Sequence, residues 1–239
     1  MEQVYTRDLL IPPSACDFDG RLSYPGAFSV FMDLATEHAE LLGVGLAAMR
    51  EKSRFWLTVK TRIVYYDRPR ISEAVQLLTW PEKPGPLRFN RSYEIRRDGA
   101  LLVAGRTEWA VLNTETGALA RSTDVLPEGL HYTRGSALDS GYARVPERFD
   151  EIAPFCEYRV CATDIDVGGH MNNAAYPRAL FAALSSGEIR AQKIRSVDLI
   201  FRAPCFEGDT LRFYRNARDG GTDYRMARDG ETVLLARVE

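Results

Sequence analysis

The chain is poor in the residues that build covalent or metal-held scaffolds. Four cysteines in 239 residues (Cys16, Cys156, Cys161 and Cys205) do not make a disulfide framework, and none falls in a CxxC pair. Three histidines (His38, His131 and His170) give little support to a Cys/His zinc site, so a metal is not expected. A basic excess is also missing. Lys and Arg number 31 against 33 Asp and Glu, a net charge of −2, which argues against a nucleic-acid partner. No apolar run approaches the ~18 residues of a membrane-spanning helix. The opening MEQVYTRDLL lacks a basic stretch followed by an apolar core, so no secretory leader is expected. These absences predict a soluble cytoplasmic protein, and a composition 45% hydrophobic and 27% charged suits an ordinary globular core.

What is present is a repeat. Tyr93-Glu94-Ile95-Arg96-Arg97-Asp98-Gly99, ending at Arg106, is echoed by Tyr224-Arg225-Met226-Ala227-Arg228-Asp229-Gly230, ending at Arg237. Tyr66-Asp67-Arg68-Pro69 is matched with Phe201-Arg202-Ala203-Pro204. Asp17-Phe18-Asp19-Gly20, followed by Tyr24-Pro25, is matched with Asp164-Ile165-Asp166-Val167, followed by Tyr176-Pro177. Three matches in the same order point to a duplicated unit.

Each copy has an acidic, turn-rich loop and then a helix opening near Tyr-Pro, where the missing proline N–H falls harmlessly in the first turn. Helical spacing predicts one helix over Pro25–Leu42, with Phe28, Phe31, Leu34, Ala35, Ala39 and Leu42 on a single face, and a shorter one over Tyr176–Leu184. Alternating and β-branched runs predict strands at Trp56–Tyr65, Ala74–Trp80, Leu87–Ile95 and Leu101–Leu112. The second copy gives Ile194–Phe201, Thr210–Arg215, Asp223–Arg228 and Thr232–Val238. Asp98-Gly99 and Asp229-Gly230 mark hairpins. The fold class is α+β, each half an antiparallel sheet around its own helix. The expected boundaries are residues 1–120, a linker over 121–154, and residues 155–239.

The run Thr163-Asp164-Ile165-Asp166-Val167-Gly168-Gly169-His170-Met171-Asn172-Asn173-Ala174-Ala175-Tyr176 resembles the signature of the acyl-acyl carrier protein thioesterases, bacterial type, approximately D-x-D-x-N-x-H-x-N-N-x-x-Y. Asp17–Gly20, the Ala35–Glu40 helix segment, Phe55-Trp56, Thr79-Trp80 and Glu108-Trp109 extend the likeness over nearly the whole chain. The resemblance implies a double hot-dog fold, cytoplasmic location, no cofactor, and hydrolysis of the thioester joining a fatty acyl chain to its carrier protein. It places the catalytic Asp on Asp166 and the catalytic His on His170. The family's Asn falls on Gly168 and its strand-end Glu on Pro204, beside Cys205.

Thioester hydrolysis needs a group to activate water, donors for the developing oxyanion, and an apolar slot for the chain. An imidazole titrates near neutrality, which suits His170. Asp166 is expected to orient it or hold the water, and the Gly168 and Gly169 backbone to bind the oxyanion. Asn172 and Asn173 either cap the following helix or assist at the site. Cys205 and Glu207 are auxiliary candidates, one as a thiol nucleophile and one as the replacement carboxylate. Trp56, Phe31 and Trp109 are candidates for the acyl slot, in the first half. Arg88, Arg91, Arg96, Arg97, Arg190, Lys193, Arg195 and Arg202 are candidate contacts for an acidic carrier protein, or else the solvated faces of strands. The alternatives are an acyl-CoA thioesterase of the same fold and a catalytically weak acyl-binding protein. A monomer and a homodimer are equally consistent.

Overall fold

The computed structural model describes residues 3–127, 129–149 and 153–239. The chain divides into a first unit ending at Gly141 and a second beginning at Tyr142. The first holds β1 (Tyr5–Leu10), α1 (Tyr24–Leu41), α2 (Leu46–Glu51), β2 (Arg54–Tyr65), β3 (Ala74–Pro81), β4 (Phe89–Arg97) and β5 (Ala100–Asn113). The second holds β6 (Cys156–Arg159), α3 (Ala175–Ala182), α4 (Ser186–Gln192), β7 (Ser196–Phe201), β8 (Thr210–Arg218), β9 (Gly221–Arg228) and β10 (Glu231–Val238). Strand order is β1-β3-β4-β5-β2 in the first unit and β6-β8-β9-β10-β7 in the second, with antiparallel pairing in both. Relabelled from the start of each unit, the two orders are the same.

The turn residues account for the central hairpin of each unit. Asp98 and Gly99 have φ of 49° and 81°, and Asp229 and Gly230 have 49° and 85°. Two consecutive left-handed residues make a type I′ turn, whose twist matches that of the strands it joins. Edge strands β1 and β6 escaped the sequence reading. They are 6 and 4 residues long with one face half-exposed, so their alternation is too short to register.

In the first unit the sheet wraps α1. Ser23 caps it, its Oγ accepting from Gly26 N at 2.9 Å, and Pro25 occupies the first turn. The face that meets the sheet is Phe28, Phe31, Leu34, Ala35 and His38, all buried. Burying each large apolar side chain there contributes about 1.5–3 kcal/mol. Phe31 stacks on Tyr93 of β4 with ring centroids 4.7 Å apart. That approach depends on Gly105 of β5, where a Cβ would lie 2.5 Å from Phe31 Cε2.

The segment expected as a linker is laid down in two directions. Val125 and Leu130 join a first-unit core cluster with Leu42, Val44, Met49, Phe89 and Val111. Gln3 donates to Pro81 O and Arg134 O, and Trp80 Nε1 donates to Gly135 O at 2.7 Å. From Tyr142 onward the chain belongs to the second unit. Ala143 N bonds Asp198 Oδ1 at 2.9 Å, and Val145 and Phe149 pack on Ile200 and Leu235. Among the described residues no helix is long and apolar enough to cross a membrane.

Gly105→Ala should overpack the α1–sheet contact and lower stability by about 1–3 kcal/mol. Urea denaturation will read this as a lower midpoint at unchanged slope. An unchanged midpoint would show that Phe31 is not held against β5.

Candidate active site

The loop between β6 and α3 is built around two aspartates with different work. Asp164 is buried and structural. Its Oδ2 accepts from Tyr158 Oη at 2.8 Å and from Cys161 N at 2.9 Å, while its carbonyl accepts from Asn172 N at 2.8 Å. Burial and the Asp164 carboxylate together push the Tyr158 hydroxyl up to about 12, so it remains a donor at neutral pH. Asp166 opens a tight turn. Asp166 N bonds His170 O at 3.0 Å, Gly169 N bonds Asp166 O at 3.0 Å, and Gly169 has a φ of +78°, which favours glycine. Met171 N then donates to Cys205 O at 2.7 Å and ties the loop to the segment after β7.

This turn brings the two candidate groups together. His170 Nδ1 lies 3.6 Å from Asp166 Oδ1, with both side chains partly exposed to solvent. Asp166 Oδ1 accepts from Gly168 N at 2.7 Å, which leaves Oδ2 without a partner among the described residues. The imidazole lies over Gly168, where a Cβ would sit 3.0 Å from both His170 Nε2 and Asp166 Oδ1. Any side chain at 168 presses on both groups, and glycine lets them approach.

The expected oxyanion role of the Gly168 and Gly169 amides needs correction. Both N–H groups are already committed inside the turn, to Asp166 Oδ1 and Asp166 O, so neither is aimed at a substrate carbonyl. Asn172 shapes the helix entrance: its Oδ1 accepts from Ala174 N at 2.8 Å and its carbonyl from Ala175 N. Asn173 is half-buried beside it. Cys205 is buried, and burial pushes its thiol up, with the Tyr176 hydroxyl alongside; this is the reverse of what activates a nucleophile. Glu207 is exposed on the turn Phe206–Asp209, whose own carboxylate, Asp209, pairs with Arg228 at 2.9 Å. Pro204 O accepts from Arg228 at 3.0 Å. Among the described residues no group of His, Cys, Asp and Glu gathers as metal ligands do.

The same turn occurs in the first unit, and it resets the repeat register. Asp17 N bonds Arg21 O, Gly20 N bonds Asp17 O, Asp19 N bonds Asp17 Oδ1, and Gly20 has a φ of +66°. Asp17 therefore corresponds to Asp166, not to Asp164, while Asp19 stands at Gly168 and Arg21 at His170. Leu22 N donates to Pro69 O as Met171 N donates to Cys205 O. Tyr24 meets Tyr65 edge-on at 4.9 Å as Tyr176 meets Phe201 at 5.5 Å. The sequence match placed Tyr66 on Phe201, one residue out. In this copy Arg68 pairs with Asp17, and Arg21 pairs with Asp67.

Of the residues expected at the acyl slot, Phe31 is fully buried against Tyr93. Trp56 is half-buried, donates to Val44 O at 2.9 Å, and meets Phe89 and Trp109 edge-on. Trp109 is half-buried with its indole N–H in the interior. Several of the expected carrier contacts are engaged elsewhere. Arg96 bonds Glu94 at 2.7 Å, Arg97 bonds Glu73 at 2.5 Å, and Arg202 bonds Glu147 at 2.6 Å. Arg91 is not on the surface at all. It points inward at 9% exposure, because it shares strand parity with Phe89, Tyr93 and Ile95. Arg190, Lys193 and Arg195 are exposed.

An antiparallel sheet wrapped around one helix, twice along the chain, is a double hot-dog. The same architecture is seen in an acyl-ACP thioesterase from Bacteroides thetaiotaomicron (TM-score 0.87, 22% identity, 99% of this chain and 97% of that one). A 12:0-ACP thioesterase from Umbellularia californica matches with a TM-score of 0.85 and 19% identity, over 100% of this chain and 97% of that one. Residues 2–129 match the acyl-ACP thioesterase N-terminal domain and residues 150–238 the C-terminal domain. The chain belongs to the acyl-ACP thioesterase family. An oleoyl-acyl carrier protein thioesterase of Arabidopsis thaliana is 22% identical over 77% of this chain and 54% of its own length. A palmitoyl-acyl carrier protein thioesterase from the same plant is 22% identical over 73% and 45%. The chain thus spans about half the length of these curated relatives.

Gly168→Ala should displace the imidazole by a few tenths of an ångström while leaving stability within about 0.5 kcal/mol, as at other exposed sites. Ring resonances of His170 in NMR spectra should move. If they do not, the ring does not rest on residue 168.

Proposed function

We propose that this chain hydrolyses fatty acyl-ACP thioesters, releasing free fatty acid and the carrier's thiol in fatty acid biosynthesis. The second unit activates the water and the first binds the acyl chain. The observation that carries the reading is the Asp166–His170 turn, which sets a carboxylate and an imidazole side by side in a family of thioester hydrolases.

The chemistry follows from the atoms. With Nδ1 directed at Asp166, His170 keeps Nε2 as its basic nitrogen. A water held by Nε2 and by the unpartnered Asp166 Oδ2 loses a proton to the ring as its oxygen attacks the thioester carbonyl. The tetrahedral intermediate collapses, the C–S bond breaks, and the imidazolium returns the proton to the leaving thiolate. Asp166 stabilises that imidazolium. Because a thiolate leaves readily, the step demands less of the acid than amide hydrolysis does. The Gly168 and Gly169 amides contribute by holding Asp166 rather than the oxyanion.

His170→Ala should lower kcat by at least about a hundredfold, and Asp166→Ala by a similar order, measured as thiol release from acyl-ACP. Parallel rates on acyl-CoA decide between carrier and coenzyme substrates. Hydrolysis that survives both substitutions overturns the assignment. Tight acyl binding without turnover in the unaltered chain would make it an acyl-binding protein instead.

A further inference from the structure

The concave face of the first sheet is not apolar throughout. Under the C-terminal half of α1 it carries Thr79, Arg91, Tyr93, Thr107 and Trp109, on β3, β4 and β5. Arg91 Nη1 donates to His38 Nδ1 at 2.9 Å and to Thr79 Oγ1 at 3.3 Å, with Arg91 and His38 at 9% and 3% exposure. A guanidinium has five N–H donors, and Arg91 meets no carboxylate among the described residues. Neither Tyr93 Oη nor Trp109 Nε1 makes a hydrogen bond of good geometry. Thr107 and Trp109 lie against the Tyr93 oxygen as donors, which leaves the Tyr93 hydroxyl proton itself without an acceptor. Burial nevertheless pushes the Tyr93 hydroxyl up to about 12, and it stays protonated.

Native interiors rarely leave such groups unmet, and a buried cation without a counter-charge is costly. Here three neighbouring residues present mainly donors to one stretch of interior. The chemistry that satisfies donors is an acceptor oxygen, and an unpaired guanidinium favours a negative one. A plain hydrocarbon chain satisfies none of them and removes the site further from water.

We propose that the first unit selects acyl chains carrying an oxygen substituent (hydroxyl, oxo or carboxylate), which lies between α1 and the sheet and accepts hydrogen bonds from Arg91, Tyr93 and Trp109. This rests on the reading that the acyl chain enters the first unit. Specificity then has two parts: apolar walls take the methylenes, and the donor cluster fixes where the oxygen sits. A mismatch at a site built to hydrogen-bond is punished more heavily than a missing methylene.

The test measures binding, not turnover. Free fatty acids of matched length (unsubstituted, 3-hydroxy, 3-oxo, ω-hydroxy and ω-carboxy) are titrated against the full chain by calorimetry. At least one oxygenated acid should bind about tenfold or more tightly than its plain counterpart, the factor expected of a hydrogen bond to a buried donor. Tyr93→Phe, which removes only the hydroxyl, should cut the ratio of oxygenated to plain affinity several-fold, and Trp109→Phe, which removes the indole N–H together with part of the ring, should cut it as well. A plain acid bound as tightly as every oxygenated one overturns the inference, as does a preference that survives both substitutions. If no fatty acid binds, acyl entry into the first unit is itself wrong. Turnover of acyl-ACP with no oxygen preference leaves the hydrolase reading intact and removes only this one. Selective binding without turnover does the reverse.

Discussion

A five-stranded antiparallel sheet with an apolar concave face must have that face covered, and in each unit the first of two helices does most of it. This requirement governs most of the rest. In the first unit an 18-residue helix reaches along the whole face, so Phe28, Phe31 and Leu34 fill the interior and His38, a turn further on, is carried into it. In the second unit α3 is only 8 residues, and Tyr176, Leu180 and Phe181 do the covering. The shorter helix begins later, after a longer approach from the Asp166 turn through Asn172 and Asn173. The loop that holds Asp166 and His170 therefore comes before the helix that anchors it, and Asp164 fixes its base.

Duplication shows how little the backbone has to do with the difference in role. Both units use the same turn, with the same carboxylate accepting from the residue two further on and the same left-handed glycine. In the first copy the carboxylate is taken by Arg68, and Arg21 stands where the imidazole stands in the second. In the second copy Pro204 succeeds Arg68 and brings no charge, while Arg228 is spent on Pro204 O, Asp209 and Glu231. Asp166 is left to its imidazole. On the proposed reading, function follows from which side chains decorate the turn.

How much of this was legible in the sequence depends on how local each signal was. The hairpins were readable because Asp-Gly specifies its turn without help from the rest of the chain. The long helix was readable because its apolar face repeats over many residues. Edge strands β1 and β6 pair only through distant partners, Thr79 with Tyr5 and Phe213 with Cys156, and carry no local mark. The repeat was evident but its register slipped by two residues, because Asp164 and Asp166 both satisfy an Asp-x-Asp match and only the hydrogen bonds tell them apart. His170 stood out through its glycines. The commitment of those glycine amides inside the turn could not be read, since it depends on the direction each N–H takes.

Arg91 shows where a usable signal was passed over. In Phe89-Asn90-Arg91-Ser92-Tyr93-Glu94-Ile95 the arginine shares parity with three apolar residues, and the alternation alone puts it inward. Reading strand arginines as a solvated face discards that parity in favour of what arginine usually does. The physical reason it survives inside is that its stem packs among the aromatics while its head meets His38 and Thr79, short of full neutralisation. Apolar residues of similar volume often serve stability as well as a buried charge does. A use in binding gives Arg91 a reason to be there, and the Tyr93 hydroxyl proton, which lacks an acceptor, gives that use a direction. The first unit, on this account, is a second centre of specificity with its own polar logic rather than a passive slot.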